Sequence, residues 1–119
     1  MCGILFHRAH RKTAHESSYA HGRQRHRGPD ESKTYTDGVF EYCFHRLSIN
    51  GVSSGGQPMF VNGNTVMCNG EIYNYKDLAD EYGIELVTGS DCEIIGYIDE
   101  DNVRALDGDF AFVLVKDGV

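Results

Sequence analysis

The sequence predicts a layered α+β fold in which strands dominate and two helices cover a sheet face. Two observations lead to this prediction. Short apolar or alternating segments are separated by turn dipeptides such as Asp37-Gly38. Two segments in the second half of the chain carry helix start and stop signals. The 119 residues contain no repeats or low-complexity segments and are expected to form one domain spanning 1–119.

The first part of the chain is predicted to contain a strand, a polar helix and a turn. The apolar run Cys2–Phe6 is long enough for one buried strand. Residues 13–26 could form a helix, although almost no apolar stripe runs along them. Gly28 and Pro29 then predict a turn, because the residue before a proline is disfavoured in the helical region.

Two hairpins are predicted next. Residues 34–44 favour a hairpin with a primed turn at Asp37-Gly38, and residues 59–68 favour a second hairpin. Taken alone, Asn69-Gly70 predicts a tight turn that ends the last strand of this pair.

The remainder is predicted to contain two helices and two strands. Asn74 is a plausible N-cap of a helix that stops at Gly83. Residues 84–87 predict a strand. Residues 90–93 fit a capping box that opens a helix through about Asp99, with three isoleucines on one side. Residues 109–115 predict a strand with two apolar faces, which we expect in a buried sheet.

Composition and length exclude several classes of protein. With 40% hydrophobic and 24% charged residues and no long apolar run, the sequence predicts a soluble protein without a transmembrane helix. The N-terminus lacks the apolar core of a signal peptide, so a cytoplasmic location is expected. The four cysteines show no C-x-x-C spacing and are expected to stay reduced. No metal and no other cofactor is predicted.

The charge is divided unevenly along the chain. Residues 7–27 carry a net charge of +5 and five histidines, whereas the remainder carries −12, which accounts for the net charge of −7. A nucleic-acid-binding arm or a metal-binding tract would explain this segment. A solvated basic face is favoured, because the basic residues are not interleaved with aromatic ones and the histidines lack ligand spacing.

Cys2 is a candidate nucleophile because of its position. Removal of Met1 would leave one residue with both a thiol and a free α-amino group. The thiol, with an ordinary pKa of ~8.5, is mostly protonated at neutral pH. An α-amine titrates near ~7.7 and can act as a general base. The alternative is a small residue that is simply buried.

Two charged residues admit more than one interpretation. Arg46, between Phe44 and Leu47, is either a solvent-facing residue of an edge strand or a buried anion clamp. Asp91, considered alone, is a favourable charge at a helix N-terminus.

Seven motifs across nearly the whole chain stand in an order typical of one family. They are Met1-Cys2-Gly3-Ile4, His26-Arg27-Gly28-Pro29-Asp30, Arg46-Leu47-Ser48-Ile49, Gly56-Gln57-Pro58-Met59, Asn69-Gly70-Glu71-Ile72-Tyr73-Asn74, Gly89-Ser90-Asp91-Cys92-Glu93 and Leu106-x-Gly108-x-Phe110-Ala111-Phe112. Together they resemble the glutaminase domain of class II glutamine amidotransferases, most closely that of glutamine-dependent asparagine synthetases. These proteins are N-terminal-nucleophile hydrolases. The resemblance implies an αββα sandwich of mainly antiparallel sheets, truncated here at the C-terminus.

The resemblance also implies a reaction and the residues that carry it. Cys2 would attack the side-chain amide of L-glutamine, and glutamate and ammonia would be released through a thioester. An oxyanion hole would be formed by Asn69 and Gly70. The implied substrate-binding residues are Arg46 for the α-carboxylate, Asp91 and Glu71 for the α-ammonium, and the backbone at Ile49 and Asn50. Arg27 and Asp30 are interpreted as residues that order a loop.

The sequence departs from the family pattern in several places. It contains no nucleotide-binding acceptor domain, so ammonia is expected to pass to a separate synthetase-type partner or within a homo-oligomer. An exposed apolar patch, where the further strands of the family would lie, is expected as the interface. Phe6 stands at a position that is often glycine and could crowd the pocket, and segment 13–26 is unusually polar. Two alternatives remain: a non-catalytic glutamine-binding or regulatory module, and an N-terminal-nucleophile amidase for another amide.

Overall fold

The computed structural model describes residues 2–8, 20–47 and 56–116, and these form two compact units. The N-terminal unit is Met1–Val52 and the C-terminal unit is Ser53–Val119. Each contains a three-stranded sheet with antiparallel pairing, and helices accompany both sheets. The predicted α+β class is therefore confirmed. The assignment of residues 1–119 to one domain stays a prediction.

The N-terminal unit is built around strand β3. Its strands are β1 (Gly3–Arg8), β2 (Glu31–Thr36) and β3 (Phe40–Arg46), in the order β1-β3-β2. The predicted first strand is thus confirmed, but the prediction that it is buried is wrong, because Ile4 to His7 are only partly buried. Of the predicted helix 13–26, residues 20–23 are helical and a short 3-10 helix follows at Arg25–Arg27. The remainder of that prediction lies outside the described residues.

The predicted hairpin between β2 and β3 is confirmed, with its turn displaced by one residue. The Asp37 N–H donates to the Phe40 carbonyl at 3.3 Å, which places Gly38 and Val39 at the centre of the turn. Gly38 has a φ of 92°, as a primed turn requires. The Asp37 carboxylate accepts hydrogen bonds from the Val39 N–H at 2.8 Å and the Phe40 N–H at 2.7 Å. This Asp side chain therefore closes the turn that its sequence position predicts.

Aromatic packing fills the interior of the N-terminal unit. Tyr42 and Phe44 of β3 are buried. The Phe6 ring lies 4.9 Å from the Phe40 ring and 5.2 Å from the Tyr42 ring, measured between centroids. Phe6 therefore joins an aromatic cluster across β1 and β3, where tilted ring pairs are favourable.

The C-terminal unit contains the strands β4 (Met59–Val61), β5 (Asn64–Ile72) and β6 (Gly108–Val115), in the order β4-β5-β6. The second predicted hairpin, β4–β5, is confirmed. Asn62 and Gly63 have φ values of 52° and 75°, which is the backbone of a two-residue primed turn. The preceding Gln57–Pro58 peptide bond is cis.

The prediction that Asn69-Gly70 ends the strand is wrong, because β5 continues to Ile72. Gly70 pairs with Phe110 across the sheet. Its φ is 134°, and a Cβ placed there would overlap the Asp109 carbonyl. Glycine therefore serves here to let β6 approach within the strand, rather than to turn the chain.

The helices of the C-terminal unit are confirmed in position and differ in type. The α-helix Tyr75–Tyr82 ends at Gly83, whose φ of 66° is the left-handed C-cap expected of glycine. The helix predicted from residue 90 is the 3-10 helix Asp91–Tyr97, and its N-cap Ser90 accepts the Cys92 N–H at 3.3 Å. A further 3-10 helix, Glu100–Ala105, was not predicted.

Two details of this region contradict the prediction. Residues 84–87 do not form a strand, and Val87 is 79% exposed. The second half of the capping box is also wrong. The Glu93 carboxylate accepts the backbone N–H groups of Val87 and Thr88 instead of that of Ser90. The backbone N–H groups of Val87 and Thr88 are therefore paired with one buried carboxylate instead of with a neighbouring strand.

The core of the C-terminal unit lies between the sheet and the helices. The three isoleucines predicted on one helix side, Ile94, Ile95 and Ile98, are at most 2% exposed. The prediction that both faces of β6 are buried is wrong, because Asp109 and Ala111 are exposed. The strand lies at the end of the sheet order β4-β5-β6, where only β5 pairs with it in the described part of the chain. No helix among the described residues is long and apolar enough to cross a membrane.

Replacing Gly28 by alanine is expected to destabilise the protein. A Cβ at Gly28 would lie within 3 Å of the backbone of His45 and Arg46, which cannot move without disturbing β3. Overpacking of this kind costs about 1–3 kcal/mol. The measurement is the free energy of unfolding from urea denaturation.

The matched control is Gly22→Ala, in the helical residues 20–23. A Cβ at Gly22 meets no atom within 4 Å, and alanine in a helix stabilises by roughly 0.5–1 kcal/mol relative to glycine. Equal effects of the two substitutions would contradict the close packing of Gly28 against β3.

Candidate functional site

The sheet register of the N-terminal unit places Cys2 against the end of β3. Gly3 pairs with His45. Cys2 therefore lies beside Arg46, the last residue of β3, and Leu47, which follows it. The Leu47 N–H points at the Cys2 sulfur, with N and Sγ 3.3 Å apart. The thiol in turn lies 3.9 Å from the Leu47 carbonyl oxygen. The candidate nucleophile and the segment that carries Arg46 are therefore neighbours in this unit.

The segment 27–30 contacts both Cys2 and β3. The Arg27 Nε donates to the Cys2 carbonyl at 3.3 Å. The Asp30 N–H donates to the Arg46 carbonyl at 3.1 Å. Gly28 lets this segment approach the backbone of His45. These contacts support the loop-ordering role predicted for Arg27 and Asp30.

Arg46 ends β3, the central strand of its sheet, so the interpretation as an edge-strand residue is wrong. Its side chain is 17% exposed. One guanidinium nitrogen lies 3.7 Å from a carboxylate oxygen of Glu31, the partner residue in β2. A shielded arginine with an ion-pair partner suits the second interpretation, an anion clamp.

A stacked pair of histidines, His21 and the buried His45, supports β3 just before Arg46. His45 is 2% exposed, and its Nδ1 lies 2.7 Å from the Ser32 hydroxyl. Its ring stacks on that of His21 with centroids 4.0 Å apart. Burial, reinforced by the electrostatic interaction with His45, lowers the pKa of His21 despite the opposing effect of Glu41. The pair therefore favours neutral imidazole at His21. Sequence reasoning assigned His45 no role, since its partners are distant in the chain.

The predicted oxyanion and ammonium-binding residues of the C-terminal unit are brought together on β5. Asn69, Gly70 and Glu71 are consecutive there, and Asn69 and Glu71 share a face because they are two residues apart. Asp91 reaches the end of the same strand, since its Oδ2 accepts the Ile72 N–H at 2.6 Å. Asp91 is thus more than a charge at a helix start: its carboxylate is bonded to the backbone of Ile72, the residue after Glu71.

Two polar side chains support β5 and β6 in ways that sequence reasoning did not predict. Gln57 had been given no role, and Asn74 occupies its predicted N-cap position without a side-chain cap hydrogen bond. Gln57 is 9% exposed; its Nε2 donates to the Cys68 carbonyl at 3.0 Å, and its Oε1 accepts the Cys68 N–H at 2.6 Å. Asn74 donates to the Ala105 carbonyl at 2.7 Å and accepts the Asp107 N–H at 2.9 Å. A glutamine two residues before a short apolar strand was the available signal for Gln57.

Glu93 is a charged residue with 0% exposure. Its carboxylate accepts the Val87 N–H at 3.0 Å, the Thr88 N–H at 2.7 Å and the Thr88 hydroxyl at 2.6 Å. Burial alone would raise the pKa of Glu93, but these hydrogen bonds and one from the Tyr97 hydroxyl outweigh burial and lower it. The carboxylate is therefore ionised at neutral pH and fully engaged.

The cysteines differ in accessibility. All four are free thiols, and Cys2 is partly exposed whereas the others are buried. Burial raises the pKa of Cys43 to about 11. A hydrogen bond between the Cys92 thiol and Cys68, together with burial, raises the pKa of Cys92. Cys43 and Cys92 are therefore protonated at neutral pH, which leaves Cys2 as the accessible candidate nucleophile.

Other predicted features are outside what the structure describes or are missing from the described part. Ile49, Asn50 and Met1 lie outside the described residues. Within residues 2–8, 20–47 and 56–116, no group of three or more His, Cys, Asp or Glu side chains could hold a metal ion.

Comparison with known proteins gives one consistent result. A family model described as a glutamine amidotransferase domain matches residues 1–118. Asparagine synthetase [glutamine-hydrolyzing] 1 of Arabidopsis thaliana is 42% identical over 100 residues, which are 78% of this chain and 17% of the relative. The Brassica oleracea protein of the same description is 43% identical over 101 residues, with 78% and 17% covered. Asparagine synthetase 1 of Lotus japonicus is 36% identical over 129 residues, with 97% and 22% covered. The chain thus spans about a fifth of the length of these relatives.

Glu93 is expected to make stability dependent on acid pH. A carboxyl whose pKa is lowered by folding contributes stability that is present above its ordinary value of 4.5 and is lost as the pH falls through the lowered value. Glu93→Gln should cost about 1.5–3 kcal/mol at neutral pH, because a hydrogen bond to a charged group is weakened. The difference from wild type should narrow as the pH falls from neutral to about 3.

Urea unfolding at each pH measures this effect. Glu85→Gln, the same change at an exposed carboxylate nearby, serves as the control. If the difference in free energy of unfolding between wild type and Glu93→Gln stays constant from neutral pH to about pH 3, the Glu93 carboxylate does not cause the pH dependence of stability.

Proposed function

Because the chain belongs to the glutamine amidotransferase domain family, we propose that it hydrolyses the side-chain amide of L-glutamine to glutamate and ammonia. The observation that carries this proposal is the setting of Cys2. Its partly exposed sulfur accepts the Leu47 N–H at 3.3 Å, directly after the shielded Arg46. A nucleophile beside an arginine suits a substrate that carries a carboxylate.

The proposed reaction begins after Met1 has been removed. The free α-amine of Cys2 takes the thiol proton, and Sγ attacks the carboxamide carbon of glutamine. The tetrahedral intermediate collapses with cleavage of the C–N bond, and the amide nitrogen leaves as ammonia with the proton from the α-amine. Water then attacks the thioester, which releases glutamate and restores the thiol.

Asn69 and Gly70 are proposed as the oxyanion hole. The Asn69 side-chain amide and the Gly70 N–H would donate to the oxygen on which negative charge develops. Losing one such donor typically costs about 2.7–4 kcal/mol of barrier. Support comes from β5, which holds both residues in a paired strand next to β6 rather than in a loose turn.

The two charges of free glutamine require two binding groups. Arg46 is proposed to hold the α-carboxylate, with Glu31 fixing the guanidinium through their ion pair. Asp91 is proposed to receive the α-ammonium, assisted by Glu71, and the backbone at Ile49 and Asn50 is proposed to contact glutamine. The Ile72 N–H supports the Asp91 role, because it holds one carboxylate oxygen and fixes the direction of the other.

We expect the αββα sandwich of an N-terminal-nucleophile hydrolase and a cytoplasmic location. The matched relatives are named as glutamine-hydrolysing asparagine synthetases. Ammonia from this chain is accordingly proposed to reach a synthetase-type acceptor, either a separate partner or a homo-oligomer, with no cofactor needed for the glutaminase step.

The first test combines intact mass with an assay for glutamate. Wild-type protein is expected to have lost the mass of Met1 and to release glutamate from glutamine. Cys2→Ala should abolish release, since it removes the nucleophile, while folding as wild type does by circular dichroism. Cys2→Ser keeps a hydroxyl, which is a far weaker nucleophile without a strong base, and should retain a trace at most.

Retention of Met1, or glutamate release that persists in Cys2→Ala, would overturn the nucleophile assignment. A trimmed protein that binds glutamine without turnover would instead favour the non-catalytic glutamine-binding module. Turnover of other amides in preference to glutamine would favour an amidase of different specificity.

Arg46→Lys tests the carboxylate contact. Lysine keeps the charge but cannot form the paired hydrogen bonds of a guanidinium, and one charge-assisted bond is worth about 1.5–3 kcal/mol. The KM for glutamine is therefore expected to rise by about 10–100-fold with a smaller change in kcat. The exposed Arg104→Lys is the control. An unchanged KM in Arg46→Lys would remove Arg46 from the substrate site.

A further inference from the structure

The loop before Asp91 is held by the side chain of Glu93 rather than by a neighbouring strand. Val87 and Thr88 direct their backbone N–H groups at this one carboxylate, at 3.0 Å and 2.7 Å. Glu93 is fully buried, so these bonds are shielded from water. The conformation of the loop therefore depends on a single acidic side chain.

A chain of hydrogen bonds runs from Glu93 to the start of the 3-10 helix Asp91–Tyr97. The Thr88 hydroxyl donates to Glu93 at 2.6 Å and accepts the Ser90 N–H at 3.1 Å. The Ser90 hydroxyl accepts the Cys92 N–H at 3.3 Å, and the Ser90 carbonyl accepts the Glu93 N–H at 3.2 Å. These bonds enclose Asp91 between two residues whose backbones are fixed.

Asp91 itself has one further restraint, the 2.6 Å bond from the Ile72 N–H to its Oδ2. That bond ties the carboxylate to the end of β5, one residue after Glu71. The backbone of Asp91 is set by the Glu93 network and its side chain by β5. A shift in the Glu93 network would therefore misplace the Asp91 carboxylate relative to β5.

We propose that Glu93 is a positioning residue that, through Thr88 and Ser90, holds Asp91 in place to receive the α-ammonium of the substrate. The inference rests on the proposed glutaminase function and adds to it a requirement for an acidic residue that does not touch glutamine. Glu93 is two residues from Asp91 and is directed away toward residues 87–88. Its effect on catalysis would act through Asp91.

The test compares two substrates in wild type and Glu93→Gln. The first is glutamine, and the second is glutaramate, which is glutamine without its α-amino group. In the Glu93→Gln variant, the carboxylate is replaced by a side-chain amide of similar shape, and the NH₂ of this amide faces the N–H donors of residues 87–88. A misplacement of about 1 Å can cost about 100-fold in rate, so kcat/KM for glutamine should fall by about 10-fold or more, chiefly through KM. For glutaramate, kcat/KM should change by less than about twofold, because no ammonium is present.

A merely structural role would give a different pattern. Partial unfolding lowers kcat/KM for both substrates by the same factor, and that result would overturn the proposal. Thr88→Val should reproduce the selective loss of glutamine turnover. Thr88→Ser, which keeps the hydroxyl, should retain wild-type turnover of glutamine. Glu85→Gln controls for loss of one negative charge from an exposed site.

Amide hydrogen exchange gives a readout that does not need activity. The Ile72 N–H, bonded to Asp91, should exchange faster in Glu93→Gln than in wild type, while the Cys68 N–H, bonded to Gln57, should keep its rate. Unchanged exchange at Ile72 would overturn the proposal. Wild-type protein that releases no glutamate while Ile72 exchange responds would overturn the proposed function and leave the link between Glu93 and Asp91 standing.

Discussion

The close approach of β5 and β6 at Gly70 is the constraint on which the C-terminal unit depends. A side chain at Gly70 would overlap the Asp109 carbonyl, and one at Gly108 would overlap the Glu71 carbonyl. Glycine at both positions lets the two backbones pair through to Ile72. Asn69 and Glu71 are thereby carried on a rigid strand. At its end the Ile72 N–H bonds to Asp91.

Buried polar side chains form hydrogen bonds next to the candidate site residues and stabilise their positions. Gln57 bonds both backbone groups of Cys68, the residue before Asn69. His45, the residue before Arg46, forms a hydrogen bond with the Ser32 hydroxyl. Glu93 holds the loop before Asp91. Each is almost inaccessible to water and has polar partners, and such networks stabilise one conformation because a buried polar group left unpaired is costly. The candidate site thus depends on residues that would not touch a substrate.

In the N-terminal unit, sheet pairing and the segment 27–30 hold the candidate nucleophile. Antiparallel pairing of β1 with β3 brings the second residue of the chain beside Leu47, and segment 27–30 contacts both ends of this arrangement. Gly28 permits that contact, since any larger residue would meet the backbone of β3. A nucleophile next to a chain end, which would otherwise fray, is in this way fixed by sheet pairing and one arginine.

The sequence by itself determined the α+β class, both hairpins, the α-helix between Asn74 and Gly83, and the family, because each depends on local turn, cap and motif residues. Tertiary structure alone decided that β5 continues through Asn69-Gly70 and that residues 84–87 are not a strand. It also decided that Glu93 bonds Val87 and Thr88, and that Arg46 pairs with Glu31. Local propensity could not reveal these features. A glycine that turns a chain and one that admits a neighbouring strand have the same sequence, and the partner of a buried carboxylate is chosen by packing rather than by spacing.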